Sequence, residues 1–206
     1  RFFLWYTSYM INENFVFLAF VLSMVGAIIY VRDILRGKVR PNIVTWSLWA
    51  TAPLLAFAAQ IDEGAGYRAV HTFSTAFGPM LIIAAALIKR NAFAKIKKSD
   101  YIFGLLSIAG LVLWQITGEG FVAILFAIAA DGLAAFPTIL KLYKEPETEN
   151  GWIFGFGIIA AIITLLTIDV WRFEEYGFTA YILIITTLMF MPTGIKFLKL
   201  GRIKIK

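Results

Sequence analysis

Residues Asp33–Gln60, DILRGKVRPNIVTWSLWATAPLLAFAAQ, and residues Thr138–Leu166, TILKLYKEPETENGWIFGFGIIAAIITLL, read as two versions of one pattern. Each leaves the end of an apolar segment, crosses a short basic or mixed-charge turn, and enters the next apolar segment at a tryptophan. Ile34-Leu35 aligns with Ile139-Leu140 and Trp46 with Trp152, an offset of about 105 residues in a chain of 206. A repeat of that length marks a duplicated unit. In membrane proteins, duplicated units commonly build a transport path between their two halves.

Composition places the chain in a bilayer. Hydrophobic residues make up 60% and charged residues 16%, with a mean hydropathy of +0.80. A soluble domain averages roughly 45–50% apolar and about 25% charged residues. A spanning helix needs about 20 apolar residues. The pattern predicts seven spans, over residues 15–34, 43–60, 68–88, 101–117, 120–143, 151–168 and 178–198. The fourth is short and interrupted by glycine. Connections are short and leave no room for a soluble domain. The aromatic-rich start, RFFLWYTSYMIN, suits a segment at the outer interface, where Trp and Tyr rings favour headgroup depth.

Lysine and arginine set the expected orientation. The turns after the first, third and fifth spans and the C-terminal tail carry 16 of the 19 basic residues, among them Arg32, Arg36, Lys38, Lys97, Lys144 and Lys204. The other side has Arg1, Arg68 and Arg172. The positive-inside rule therefore predicts an outer N-terminus and a cytoplasmic C-terminus in a bacterial-type plasma membrane. It also explains the net charge of +6 without a nucleic-acid partner.

The expected fold is all-α and transmembrane, with seven helices in two parallel three-helix repeats joined by a linker helix. Three spans reverse the chain's side, so one extra helix is needed to bring a second copy back to the same orientation. The boundaries read as an outer interfacial segment at 1–14, a first repeat at 15–90, and a cytoplasmic loop with linker helix at 91–118. A second repeat at 119–200 and a basic tail at 201–206 complete the chain.

This three-plus-one-plus-three plan resembles the SWEET sugar transporters and the wider PQ-loop family. The local match is AAFPTILKLYKEPETENGWIFGFG, Ala134–Gly157. Phe136-Pro137-Thr138 stands where the family has Pro-Gln, and Glu147, Thr148, Glu149 and Asn150 form the polar turn. In the first repeat Val31-Arg32 occupies that position and only RPNIVTWSLW keeps the pattern. The resemblance implies a transporter or facilitator of a small polar solute, sugar-like or amino-acid-like. A non-transporting subunit in a homo-oligomer or larger membrane complex is the alternative. The alanines at 84–86, 127, 129 and 130 would give that subunit a close-packing face.

Asp131 is the principal candidate for chemistry, the one carboxylate well inside a predicted span. A charge at mid-bilayer costs about 3 kcal/mol on insertion scales, so it should face the bundle interior. There it could bind a proton or cation or accept hydrogen bonds from a solute, or simply pin one helix to another. His71, with Ser74 and Thr75, could line an outer vestibule or partner Asp131, although an interfacial histidine reaching headgroups is the simpler expectation. Trp49 lies one turn inside its span and could stack on a ligand, whereas Trp46 and Trp152 read as aromatic-belt residues. Thr186 and Thr187 are expected to bond within their own helix. Pro53, Pro79, Pro137 and Pro192 interrupt four spans and are candidate hinges.

Several chemistries are set aside. There is no cysteine and one histidine, so no thiolate site, no cysteine nucleophile and no bis-histidine haem. No metal-ligand spacing, phosphate loop or nucleophile elbow is present. Lys196 lies too near the cytoplasmic end to hold retinal. The sequence calls for no enzyme activity, metal or cofactor.

Overall fold

A computed structural model describes residues 10–41, 43–89, 120–144, 146 and 150–203, with isolated positions between 98 and 117. Side chains are described through residue 193, except that of Pro137. The predicted linker span 101–117 falls largely outside the described residues, as do Trp114, Gln115, Glu119, the interfacial stretch 1–9 and most of the basic turn after residue 89.

The described chain is helical. Six helices run as α1 (Phe15–Leu35), α2 (Ile43–Asp62), α3 (Ala69–Ile88), α4 (Gly120–Lys144), α5 (Trp152–Leu166) and α6 (Phe173–Ile203), with a 3-10 turn at Gly66–Arg68 before α3. Five helical segments, all but α5, are long and apolar enough to cross a membrane. Helices are the expected solution there, because a lipid-facing backbone has no water to satisfy its N–H and C=O groups. The starts of α1, α2 and α4 match the sequence reading. The last helix begins at Phe173 rather than at 178, and its backbone continues to Ile203, past the predicted end at 198.

Two glycines end helices. Gly37 and Gly64 take φ of 71° and 81°, the left-handed conformation that glycine reaches without steric cost. Lys38 N–H then donates to Asp33 O and Ala65 N–H to Gln60 O, both at 2.9 Å. This six-to-one bond closes the end of α1 and of α2 in the Schellman manner. Asn150 opens α5: its Oδ1 accepts the Trp152 N–H at 3.0 Å, and its amide donates to Asp33 Oδ2 at the end of α1.

The six helices form a closed ring. Following the principal contacts, the order is α1, α3, α2, α4, α6, α5 and back to α1. The first three helices thus occupy one half and the last three the other, and the halves meet along α1–α5 and α2–α4. Directions follow from the ends. Met10 and Ile11 donate to Leu166 O, Arg68 pairs with Asp169 and Glu175, and Gln60 Nε2 donates to Glu174 O at 3.2 Å. These contacts gather the starts of α1, α3 and α6 with the ends of α2 and α5. The start of α4 joins them, since a Cβ on Gly120 would lie 2.7 Å from Glu63 Cγ. Helices α1, α3, α4 and α6 therefore run one way, and α2 and α5 return.

Apolar side chains lie outside as well as inside, unlike the pattern of a soluble domain. Large apolar side chains such as Phe17, Ile28, Leu125, Phe136, Ile159 and Ile184 are exposed. The interior holds alanines, including Ala56, Ala76, Ala127, Ala160 and Ala161, together with His71, Ser74, Asp131 and Thr164. Small residues let helices approach closely where lipid supplies no hydrophobic drive to associate. At the α1–α5 contact, a Cβ on Gly26 would meet the Ile153 Cα at 3.0 Å. With this packing and five spans of membrane length, the chain is an integral membrane protein.

Candidate central cavity

A cavity of about 110 Å³ lies within the ring, and every described helix contributes to its wall. From the first half come Ser23 and Ala27, then Trp46, Trp49 and Pro53, then His71, Ser74, Thr75, Gly78 and Pro79. The second half supplies Asp131, then Phe154 and Gly157, then Ile182, Thr186 and Met189.

Asp131 is 4% exposed and held by its own half. Tyr181, on α6, donates its hydroxyl to Asp131 Oδ2 at 2.7 Å. Among the described residues nothing donates to Oδ1. Across the boundary, Trp49 Nε1–H reaches the Asp131 backbone carbonyl at 3.4 Å. Trp49 in turn stands edge-to-face against Trp46, with centroids 4.9 Å apart and an interplanar angle of 84°. Tyr30 tilts against Trp46 on its far side, centroids 4.8 Å apart.

His71 is fully buried, and neither ring nitrogen has a hydrogen-bond partner among the described residues. The same holds for the Ser23 hydroxyl. The other cavity hydroxyls are spent within their helices: Ser74 on His71 O at 2.6 Å, Thr75 on Thr72 O at 2.7 Å, and Thr186 on Ile182 O at 2.6 Å. Buried polar groups are ordinarily paired. Among the described residues the imidazole and the Ser23 hydroxyl thus have no partner and one Asp131 oxygen is open, while the Ser74, Thr75 and Thr186 oxygens have spent their donor hydrogens and can still accept.

The predicted residues divide cleanly. Asp131, His71, Ser74, Thr75, Trp49 and Thr186 line this one cavity, together with Pro53 and Pro79. Thr187 does not; it is exposed and bonds Leu183 O at 2.6 Å, because the next position on a helix faces about 100° away. Helices α2, α3 and α6 run unbroken through Pro53, Pro79 and Pro192. Position 137 is helical, with its side chain outside the described residues.

Two expectations are corrected. His71 does not reach out to headgroups; it is fully buried and lines the cavity. Trp46 is not a belt residue, at 5% exposure, whereas Trp152 is exposed at 51%. Tyr181 went unread because nothing local marks it. The usable signal was that an intramembrane carboxylate needs a donor, and few tyrosines lie within the spans.

The end of the ring that holds residue 10 carries a second polar cluster, also across the halves. Arg68 pairs with Asp169 and, through Nε, with Glu175 Oε2 at 3.0 Å. Arg172 reaches Glu175 at 3.4 Å and the Glu63 carbonyl at 3.0 Å. Among the described residues no group of three or more metal-ligating side chains occurs. No family model, curated protein or solved structure matches the chain.

Proposed function

We propose that the protein is a secondary transporter or facilitator of a small polar solute, working by alternating access between its two three-helix halves. The observation that carries this reading is the cavity: all six described helices line it, and its two ionisable side chains, Asp131 and His71, come from opposite halves. Secondary transporters hold solutes at mid-membrane on the interface between repeats, and a carboxylate at that depth marks a solute or ion path.

The ring order supports a duplicated plan. Replacing α1, α3, α2 by α4, α6, α5 leaves the cyclic order unchanged, as a two-fold axis along the membrane normal requires. With segment 101–117 as linker helix, this is the three-plus-one-plus-three arrangement of the SWEET and PQ-loop proteins. The basic turns lie at the Asp33–Asn150 end, which is then cytoplasmic in a bacterial-type plasma membrane. The Arg68 cluster closes the outer end, and Pro53 and Pro79 are flexing points beside the solute. The scaffold alternative drew on an exposed alanine face. Ala85, Ala86, Ala127 and Ala130 are buried, which removes most of that face.

Asp131→Asn tests the reading in reconstituted vesicles, by solute flux with and without a pH gradient. Asn keeps size and hydrogen bonding but not charge, so flux should fall or lose its response to the gradient. Equal flux in both proteins takes Asp131 out of the mechanism. Wild-type vesicles that carry no polar solute sink the transport reading.

A further inference from the structure

The cavity wall restricts the chemistry of its occupant. It contains one carboxylate, Asp131, and no lysine or arginine. An anionic ligand, or the carboxylate of an amino acid, would have no fixed positive partner, and burying an unpaired charge is costly. A sugar fares no better. It presents hydroxyls all round that must both donate and accept, whereas three cavity hydroxyls have spent their donor hydrogens on backbone carbonyls and can only accept. Two indoles and several aliphatic side chains make up most of the remaining surface. At about 110 Å³ the space is also below the roughly 150 Å³ that accommodates benzene, which favours a short ligand.

Resting on the transport reading of this same cavity, we infer that its ligand is a small organic cation, a primary or methylated alkylammonium of about four to six non-hydrogen atoms. Asp131 Oδ1 is the counter-ion, held in place from behind by Tyr181 through Oδ2. Trp46 and Trp49 line the space beside it, and an aromatic wall attracts a desolvated ammonium by its quadrupole. The unpaired His71 ring, in its neutral form, offers one acceptor nitrogen to an ammonium N–H. The Ser23 hydroxyl offers a further acceptor. The alkyl part packs on Ile182 and Met189. The open carboxylate oxygen, one imidazole nitrogen and the Ser23 oxygen thus offer three acceptors to one charged head.

Binding is tested on the purified full chain in lipid nanodiscs by titration calorimetry, with butylammonium, tetramethylammonium, butanol, butyrate, glycine and glucose as probes. Butylammonium should bind at least tenfold more tightly than butanol, its neutral counterpart. Butyrate, glycine and glucose should not bind. Asp131→Asn and Trp49→Ala should each weaken butylammonium at least tenfold. Should either variant fail to fold, the comparison of ammonium, alcohol and carboxylate on the wild type decides alone. Equal binding of butanol, preferential binding of butyrate or glucose, or affinity unchanged in folded Asp131→Asn overturns the inference. Butylammonium that binds but is never carried upholds this ligand class and removes the transport reading. Flux of glucose without ammonium binding does the reverse.

Discussion

Arg68→Ala should unlock one end of the ring. The guanidinium joins the halves through Asp169 and Glu175. Its own side chain is 16% exposed and that of Glu175 4%, whereas Asp169 is 37% exposed. Removing one partner of a buried pair costs about 3–5 kcal/mol, because a charge is left behind. The Asp169 arm is screened by water and contributes at most about 1 kcal/mol. Glu175 also retains Arg172 at 3.4 Å, which lowers the total. A loss of about 2 kcal/mol remains, and if the tie exists only in the form closed at this end, the closed-to-open ratio falls roughly 30-fold. The chain has no cysteine, so a single Ser74→Cys in the cavity wall reports accessibility directly. Its labelling by a membrane-impermeant maleimide added outside should accelerate towards that factor in Arg68→Ala. Arg68→Lys, which keeps charge but not the forked geometry, should fall between. Labelling rates that match the parent in a folded Arg68→Ala protein would refute the argument that this cluster holds the halves together.

Gly26→Ala should lower thermal stability by about 1–3 kcal/mol, read as a drop in unfolding midpoint in detergent, since its Cβ would press on the Ile153 backbone at 3.0 Å. A midpoint equal to the parent would show that α1 and α5 can separate freely. Asn150→Ala loses both the bond from the Trp152 N–H and the bond to Asp33 and should cost about 1–2 kcal/mol, with Asn150→Asp keeping the first but repelling Asp33. Single cysteines at Asp62 or Glu174 should label from outside in intact cells while those at Lys97 or Lys204 stay protected; the opposite pattern would invert the topology.

The helices were legible because each is a long apolar run, and apolarity is what a bilayer selects. The start of α6 was not. Phe173-Glu174-Glu175 reads as a polar loop, yet it forms a helical first turn in which Arg68 and Arg172 pair with Glu175 and Gln60 Nε2 donates to the Glu174 carbonyl. Those partners lie more than 100 residues away, apart from Arg172. His71 was not legible either. Its place about one turn inside the outer end of its span suggested the interface, but the side chain is fully buried in the cavity wall. Asp131 was legible without any partner, since the cost of an unpaired mid-membrane charge already dictates an interior position. Its donor, Tyr181, could be identified only after the ring order was known.

The asymmetry of the cavity follows from how the two halves use one position. Helices α1 and α4 begin at residues 15 and 120, so the offset of the two chain segments is the 105 residues seen between Ile34 and Ile139. The same offset carries Asp131 onto Gly26. In the first half that position has no side chain, and α5 approaches so closely that even a methyl group would press on its backbone. In the second half it bears the carboxylate, and α2 meets it through the Trp49 indole instead. Trp46 and Trp152 diverge in the same sense, one inside the ring and the other on its outer surface. One half has thus been given over to close helix contact and aromatic wall, the other to charge. A strictly symmetric pair would have placed two carboxylates around a cavity of about 110 Å³, where their repulsion in a low-dielectric space would raise the cost of every state without a cation bound. Divergence at this one position leaves a single acid in a wall that also holds the unpaired His71.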